Sequence, residues 1–209
     1  MSTSIESRIP DSLSGSLSLL LRLVSYLTQD EQEEVVKGIF LAATAHTGQV
    51  RKNGHPFIIH PIQVTCIVAD VHSDLPTILA ALLHDTLEVT DLKPESIRQA
   101  CGPEVLGLVE SVTHHKAFSN REFLEKVYNR SRDDQRVAII KLADRSANLM
   151  HDDQRVFPLV KERETLDETH SFYLGLLATL PDLPHEITRT MERITQAAEQ
   201  GYRARGGKV

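Results

Sequence analysis

Three short stretches put side chains able to bind a divalent cation beside a structure breaker or inside an apolar run. They are His60-Pro61, His84-Asp85, and Asp144 within the run from Lys141 to Arg145. If they converge, two imidazoles and two carboxylates make a mixed nitrogen and oxygen site. That donor set suits Mn²⁺, Fe²⁺, Co²⁺ or Zn²⁺ better than a thiolate-preferring ion. Four protein ligands leave two octahedral positions for water and substrate. The chemistry this permits is hydrolysis, with the pKa of a bound water lowered and charge on a phosphoryl oxygen neutralised. A His beside Pro is also a common loop or cap residue, so environment has to decide between the two readings. Ala80 to Leu83 precede His84-Asp85, and Ile139 to Ala143 surround Asp144, so segments suited to burial carry charge. A buried carboxylate needs a cation or a dense set of hydrogen bonds.

Other polar groups lie near these positions in the chain. Arg51-Lys52 sits in a loop bounded by Gly48 and Gly54, just before His60, where two cations can meet phosphates or stack on a purine. Lys141 and Arg145 flank Asp144 at i−3 and i+1; Lys141 reads as its partner and Arg145 as structural. Asn148 lies one turn beyond Asp144 on the same helical face. If the helix carrying His84 continues, Glu88 at i+4 shares its face and can orient or deprotonate an attacking water. His114-His115 reads as exposed or capping.

The elements that must position these groups are helical. Apolar residues recur at helical spacing. Asp30 is a candidate cap for a helix over 30–46, and residues 47–58 read as a loop. Pro61 and Pro76 suit position N1 of helices reaching about 71 and 88. Shorter helices follow Pro94 and Pro103, then segments 120–130, 133–148, 159–180 and 186–201. The β-branched run 137–140 continues a helical period, so no strand is predicted and the fold class is all-α.

With 209 residues, the chain predicts one domain over 16–202, between a flexible Ser-rich leader (1–15) and a flexible tail (203–209). Its 23 Lys and Arg against 29 Asp and Glu give a net charge of −6, which implies no basic surface for nucleic acid or anionic lipid. The two cysteines, Cys66 and Cys101, are too few for a disulfide framework. The apolar stretch 17–27 falls short of the ~20 residues that span a bilayer. Lacking a basic n-region, the N-terminus does not read as a signal peptide, so the expected location is the cytoplasm. A homo-oligomer is compatible with the sequence.

The segment Ala45-His-Thr-Gly-Gln-Val-Arg-Lys-Asn-Gly-His-Pro-Phe-Ile-Ile-His-Pro61, followed by Ala81-Leu-Leu-His-Asp-Thr-Leu-Glu88 and by Ile140-Lys-Leu-Ala-Asp-Arg145 with Asn148, resembles the HD-domain hydrolases of the RelA/SpoT homologue group. Short members of that group are small alarmone hydrolases. The resemblance runs over residues 39–180. It implies an all-α HD fold binding Mn²⁺ through His60, His84, Asp85 and Asp144. The activity implied is removal of pyrophosphate from the 3′ position of guanosine tetra- or pentaphosphate, giving GDP or GTP. It also implies that Arg51, Lys52 and Asn148 border the nucleotide. Lys141 joins this substrate-binding set, chiefly as partner of Asp144. The segment Glu164-Thr165-Leu166 and Tyr173 resembles the place where relatives hold the distal phosphates.

Relatives carry an acidic pair after the His-Asp dyad, and this chain has Glu88-Val89. Val89 cannot supply the second carboxylate, though Asp91 offers partial compensation. Ser146-Ala147 and His151 also depart from the group and are expected to alter the pocket wall. The alternatives are therefore a hydrolase of adenosine alarmones (pppApp-type) or of the NADPH 2′-phosphate, and an alarmone sensor impaired by Val89.

Overall fold

A computed structural model describes residues 4–150 and 158–208 of the chain. Among these residues there are helices and no strand, as the apolar spacing predicts. In order they are α1 (Leu13–Leu23), α2 (Gln29–Ala45), α3 (Ile59–Asp70), α4 (Leu75–Leu83), α5 (Thr86–Val89), α6 (Pro94–Val112), α7 (Asn120–Asp133), α8 (Gln135–Met150), α9 (Leu159–Glu168) and α10 (His185–Ala204). A π-helical turn, Thr169–Leu174, continues α9.

Local chemistry starts these helices. Thr28, not the expected Asp30, caps α2: its hydroxyl accepts from the Glu31 N–H while the Glu31 carboxylate accepts from the Thr28 N–H. Ser119 and Glu122 do the same for α7. Asp74 caps α4 by accepting from the Thr77 N–H. Pro61 lies at the third position of α3, not the first, where its missing N–H still has no helical partner to lose. In α6 the two expected short helices join across a kink at Gly102, whose φ of +88° is strained for a residue with a Cβ.

Helix α3 is buried from Ile59 to Ala69 and packs against α1, α4 and α8. Helix α8 buries Val137 to Asp144 and packs against α3, α7 and α10. With α4, whose Ile78 to Leu83 are all buried, they form the centre of the core. Each fully buried aliphatic side chain contributes about 1.5–3 kcal/mol, and interiors this dense permit little drift. The expected metal ligands all sit at the ends of this trio or within it.

Within the expected leader, residues 5–10 make contacts with the rest of the chain. Ile5 is buried, Arg8 pairs with Asp70, Gln63 donates to the Pro10 carbonyl, and Glu6 pairs with Arg193 of α10. In the expected tail, contacts are made as well. Arg205 pairs with the buried carboxylate of Glu162, and Gly207 N–H bonds to the Tyr202 carbonyl. Composition is blind to these long-range partners.

Candidate active site

His60 stands in the first turn of α3, where burial on all sides leaves its ring little freedom. His84 and Asp85 occupy a turn between α4 and α5, not the single helix to Glu88 that the sequence suggests. The break has a local cause: His84 Nδ1 donates to the Ala81 carbonyl (2.8 Å) and the Thr86 hydroxyl to the Leu83 carbonyl (2.7 Å). Those side chains take carbonyls at the end of α4. Asp144 comes from the middle of α8.

These four side chains converge. His60 Nε2 lies 3.2 Å from Asp144 Oδ1 and 3.6 Å from Asp85 Oδ2. His84 Nε2 lies 3.2 Å from Asp85 Oδ1 and 3.6 Å from Asp144 Oδ1. One ligand atom each from His60, His84 and Asp144 falls within 4.8 Å of the others, and Asp85 closes the ring. His84 Nε2 is buried without a hydrogen-bond partner, while Nδ1 is engaged with a carbonyl. That arrangement turns an imidazole lone pair toward a metal and fixes the ring from behind. The donor set therefore fits a divalent ion of intermediate hardness.

The electrostatics agree. Burial opposes charge on His84, yet Asp85 and Asp144 outweigh it and push its pKa up to about 10. Burial raises the Asp144 carboxyl, but the Lys141 ammonium and the two imidazoles hold it well below the usual carboxylate range. The centre of the ring favours positive charge, which a metal ion supplies. His60 itself is lowered by burial, as suits a neutral ligand.

The cluster lies in a cleft of about 570 Å³, within the range of small-molecule sites. Arg51, Lys52, Glu88, Lys141 and Asn148, all expected from sequence, line it. Gly54, at a φ of +84°, turns the 47–58 loop back so that Arg51 N–H meets the His55 carbonyl. Arg51 donates to Asn148 Oδ1 (2.9 Å), and Asn148 donates to Asp144 Oδ1 (2.8 Å). Lys141 Nζ holds the other oxygen, Oδ2, at 2.7 Å. Glu88 reaches the cleft through the short α5, and its Oε2 accepts from the His114 N–H (2.9 Å). Val89 and Asp91 line a neighbouring hollow with Lys116, and Glu88 borders both that hollow and the cleft.

The family described as HD domain matches residues 39–180. The chain belongs to the HD-domain family. Its similarity within that family is to the RelA/SpoT group of hydrolases. It is 36% identical over 141 residues to the bifunctional (p)ppGpp synthase/hydrolase SpoT of Escherichia coli, a match covering 64% of this chain and 20% of that protein. With guanosine-3′,5′-bis(diphosphate) 3′-pyrophosphohydrolase of Aquifex aeolicus, identity is 37% over 169 residues, covering 78% of this chain and 24% of the relative. This chain thus spans about a fifth to a quarter of the length of these curated relatives. A solved structure of a metazoan ortholog of SpoT, which hydrolyzes ppGpp, superposes with a TM-score of 0.67 at 25% identity, covering 78% of this chain and 94% of the other.

Sequence reasoning missed parts of the HD-domain cleft. His114 is one wall of it, stacked on Phe123 with ring centroids 4.6 Å apart, and only His115 is exposed as expected. Arg145 is not merely structural: it lines the cleft, pairs with Glu168, and sits 4.3 Å over the Tyr173 ring. Thr165 and Tyr173 line the cleft, whereas Leu166 is buried and Glu164 pairs with Lys161 on the surface. Ser146 and Ala147 do not form pocket wall as expected; both are fully buried, and Ser146 donates to Met191 Sδ of α10. His151 lies outside the described residues. For Arg145 the available signal was its spacing of one residue from Asp144. For His114 there was none short of the tertiary structure.

Proposed function

We propose that this HD domain is a Mn²⁺-dependent hydrolase that removes pyrophosphate from the 3′ position of guanosine 3′,5′-bis(diphosphate), giving GDP, and from the pentaphosphate, giving GTP. The reading is carried by one observation: a ring of two imidazoles and two carboxylates at the base of a cleft whose walls carry Arg51, Lys52, Lys141 and Arg145. It is supported by the names of the relatives, which act on that nucleotide. We place the reaction in the cytoplasm, with a small nucleotide as the partner.

His60, His84, Asp85 and Asp144 would hold the ion. Bound there, it would lower the pKa of a coordinated water and neutralise phosphoryl charge. Glu88 accepts a proton from the attacking water, its carboxylate held in place by the His114 N–H. Arg51 and Lys52 meet the phosphates, and Asn148 links Arg51 to Asp144, so that nucleotide and ligand share one support. Lys141, buried against Asp144, fixes that carboxylate. Water attacks the phosphorus nearest the ribose, the bond to the 3′ oxygen breaks, and that oxygen takes up a proton.

Val89 lines the hollow next to the cleft, while Glu88, which borders both, keeps its carboxylate in the cleft. That favours turnover over a sensor role. The test is pyrophosphate release from guanosine and adenosine 3′-pyrophosphates, beside phosphate release from NADPH, with Mn²⁺ present. Preferential release from the guanosine compound is expected. Preference for either of the others reassigns the substrate, and tight binding without release would establish the sensor.

A further inference from the structure

Gln49 uses every polar group it has. Its N–H donates to the His46 carbonyl (3.0 Å), and its own carbonyl accepts from the Phe57 N–H (3.0 Å). Its side-chain Oε1 accepts from His46 Nδ1 (2.9 Å), and Nε2 donates to the Val89 carbonyl (2.6 Å), forty residues away. The His46 ring is buried and stacked on Phe57, centroids 4.7 Å apart and 21° from parallel, and Phe57 meets His60 edge-on at 6.3 Å. His46 Nε2 has no hydrogen-bond partner, so Gln49 is the polar anchor of that ring.

One residue thus ties together two parts of the site that are far apart in the chain. On one side are Phe57 and His60. On the other is α5, a single turn of four residues that carries Glu88 and is otherwise held by α6 and the His114 N–H. We infer that Gln49, steadied by His46, is a positioning residue that sets the Glu88 turn relative to the metal ligands. The inference rests on Glu88 acting on water, as proposed above. The anchor on α5 is the backbone carbonyl of Val89, so the tie is indifferent to the side chain there and survives the loss of the family's second acidic residue.

A misplacement of about 1 Å at a catalytic group costs roughly 10²-fold in rate. Gln49→Leu keeps the bulk of the side chain and removes both ties. It should lower kcat by about that factor while KM for the nucleotide and Mn²⁺ affinity stay unchanged. Amide exchange over Thr86–Thr90 should quicken. In a Glu88→Gln background, the same substitution should cost nothing further, because the group it positions is gone. His46→Phe, which keeps the stack on Phe57 and frees Gln49, should show the same pattern more weakly, and it serves if leucine at 49 prevents folding. An unchanged kcat, an undiminished loss in the Glu88→Gln background, or unchanged exchange over α5 overturns the inference. If the parent protein releases no pyrophosphate from any nucleotide, it is the functional reading that fails. Exchange over α5 then decides the tie by itself: faster exchange in Gln49→Leu upholds it and unchanged exchange rejects it.

Discussion

Helix α8 takes part in two charge clusters of opposite logic. At its start, Arg136 gathers three carboxylates: Asp134 (2.7 Å), Glu104 (2.7 Å) and Asp74 (3.2 Å). The chain itself supplies the cation there, the group is partly exposed, and the tie joins α4, α6 and α8. Two turns on, Asp144 meets Asp85 and two imidazoles in a buried ring, with Lys141 engaged on the outer oxygen of Asp144. His84 Nε2 in that ring has no hydrogen-bond partner. A closed cluster is structural, whereas one that leaves a buried polar atom unsatisfied where carboxylates favour positive charge is suited to hold a cation. Both are carboxylate clusters on one helix, so acidity alone does not mark a metal site.

That contrast orders the expected effects. Removing ligands from the open cluster, with His84→Ala/Asp85→Ala, should abolish pyrophosphate release, beyond the ~10–100-fold that loss of an outer partner costs a metal site. A variant with full activity would erase the distinction between the clusters. Next in size, Glu88→Gln should lower kcat by roughly 10²–10⁴ with Mn²⁺ affinity intact, read by steady-state kinetics beside a metal titration. Asn148→Ala releases both Arg51 and an oxygen of Asp144, and it should weaken metal affinity by about tenfold and raise KM, which sharpens where the open cluster ends.

The smallest effects belong to the closed cluster. Arg136→Ala should leave kcat and KM unchanged and cost at most about 1 kcal/mol, since exposed pairs are screened. Its hydrogen bonds from Arg136 hold the Asp134 carboxyl below its usual range. A carboxyl lowered in the folded state adds stability above the unfolded pKa of ~3.9, and that stability is lost as pH falls through the folded pKa. Thermal melts between neutral pH and about pH 3 should therefore fall less steeply for Arg136→Ala than for the parent protein. A steeper fall would show that Asp134 draws its low pKa from elsewhere.

Much of this contrast was legible in the chain. His84, Asp85 and Asp144 could be picked out because charge in an apolar run is rare without a reason, His60 by its place beside Pro61, and most helices by periodicity and prolines. The end of α4 at Leu83 was not legible, because His84 and Thr86 compete for carbonyls in a way that spacing does not reveal. The place of His114 in the cleft was not legible, because the stack on Phe123 and the tie to Glu88 are made in three dimensions only. The contacts of Ile5 and Arg8 were not legible for a related reason: a Ser-rich composition says nothing of Ile5 in the core or Arg8 on Asp70. Ser146 was misplaced because one helical residue next to the site faces α10 instead.

The buried ring on α3, α4 and α8 is expected to work only with a divalent guest. The direct measurement is pyrophosphate release from guanosine 3′,5′-bis(diphosphate) by protein stripped with EDTA, before and after Mn²⁺ is restored, with His84→Ala/Asp85→Ala alongside. Release should be absent after stripping, return with Mn²⁺, and stay absent in the variant. Turnover that survives exhaustive chelation would contradict the claim.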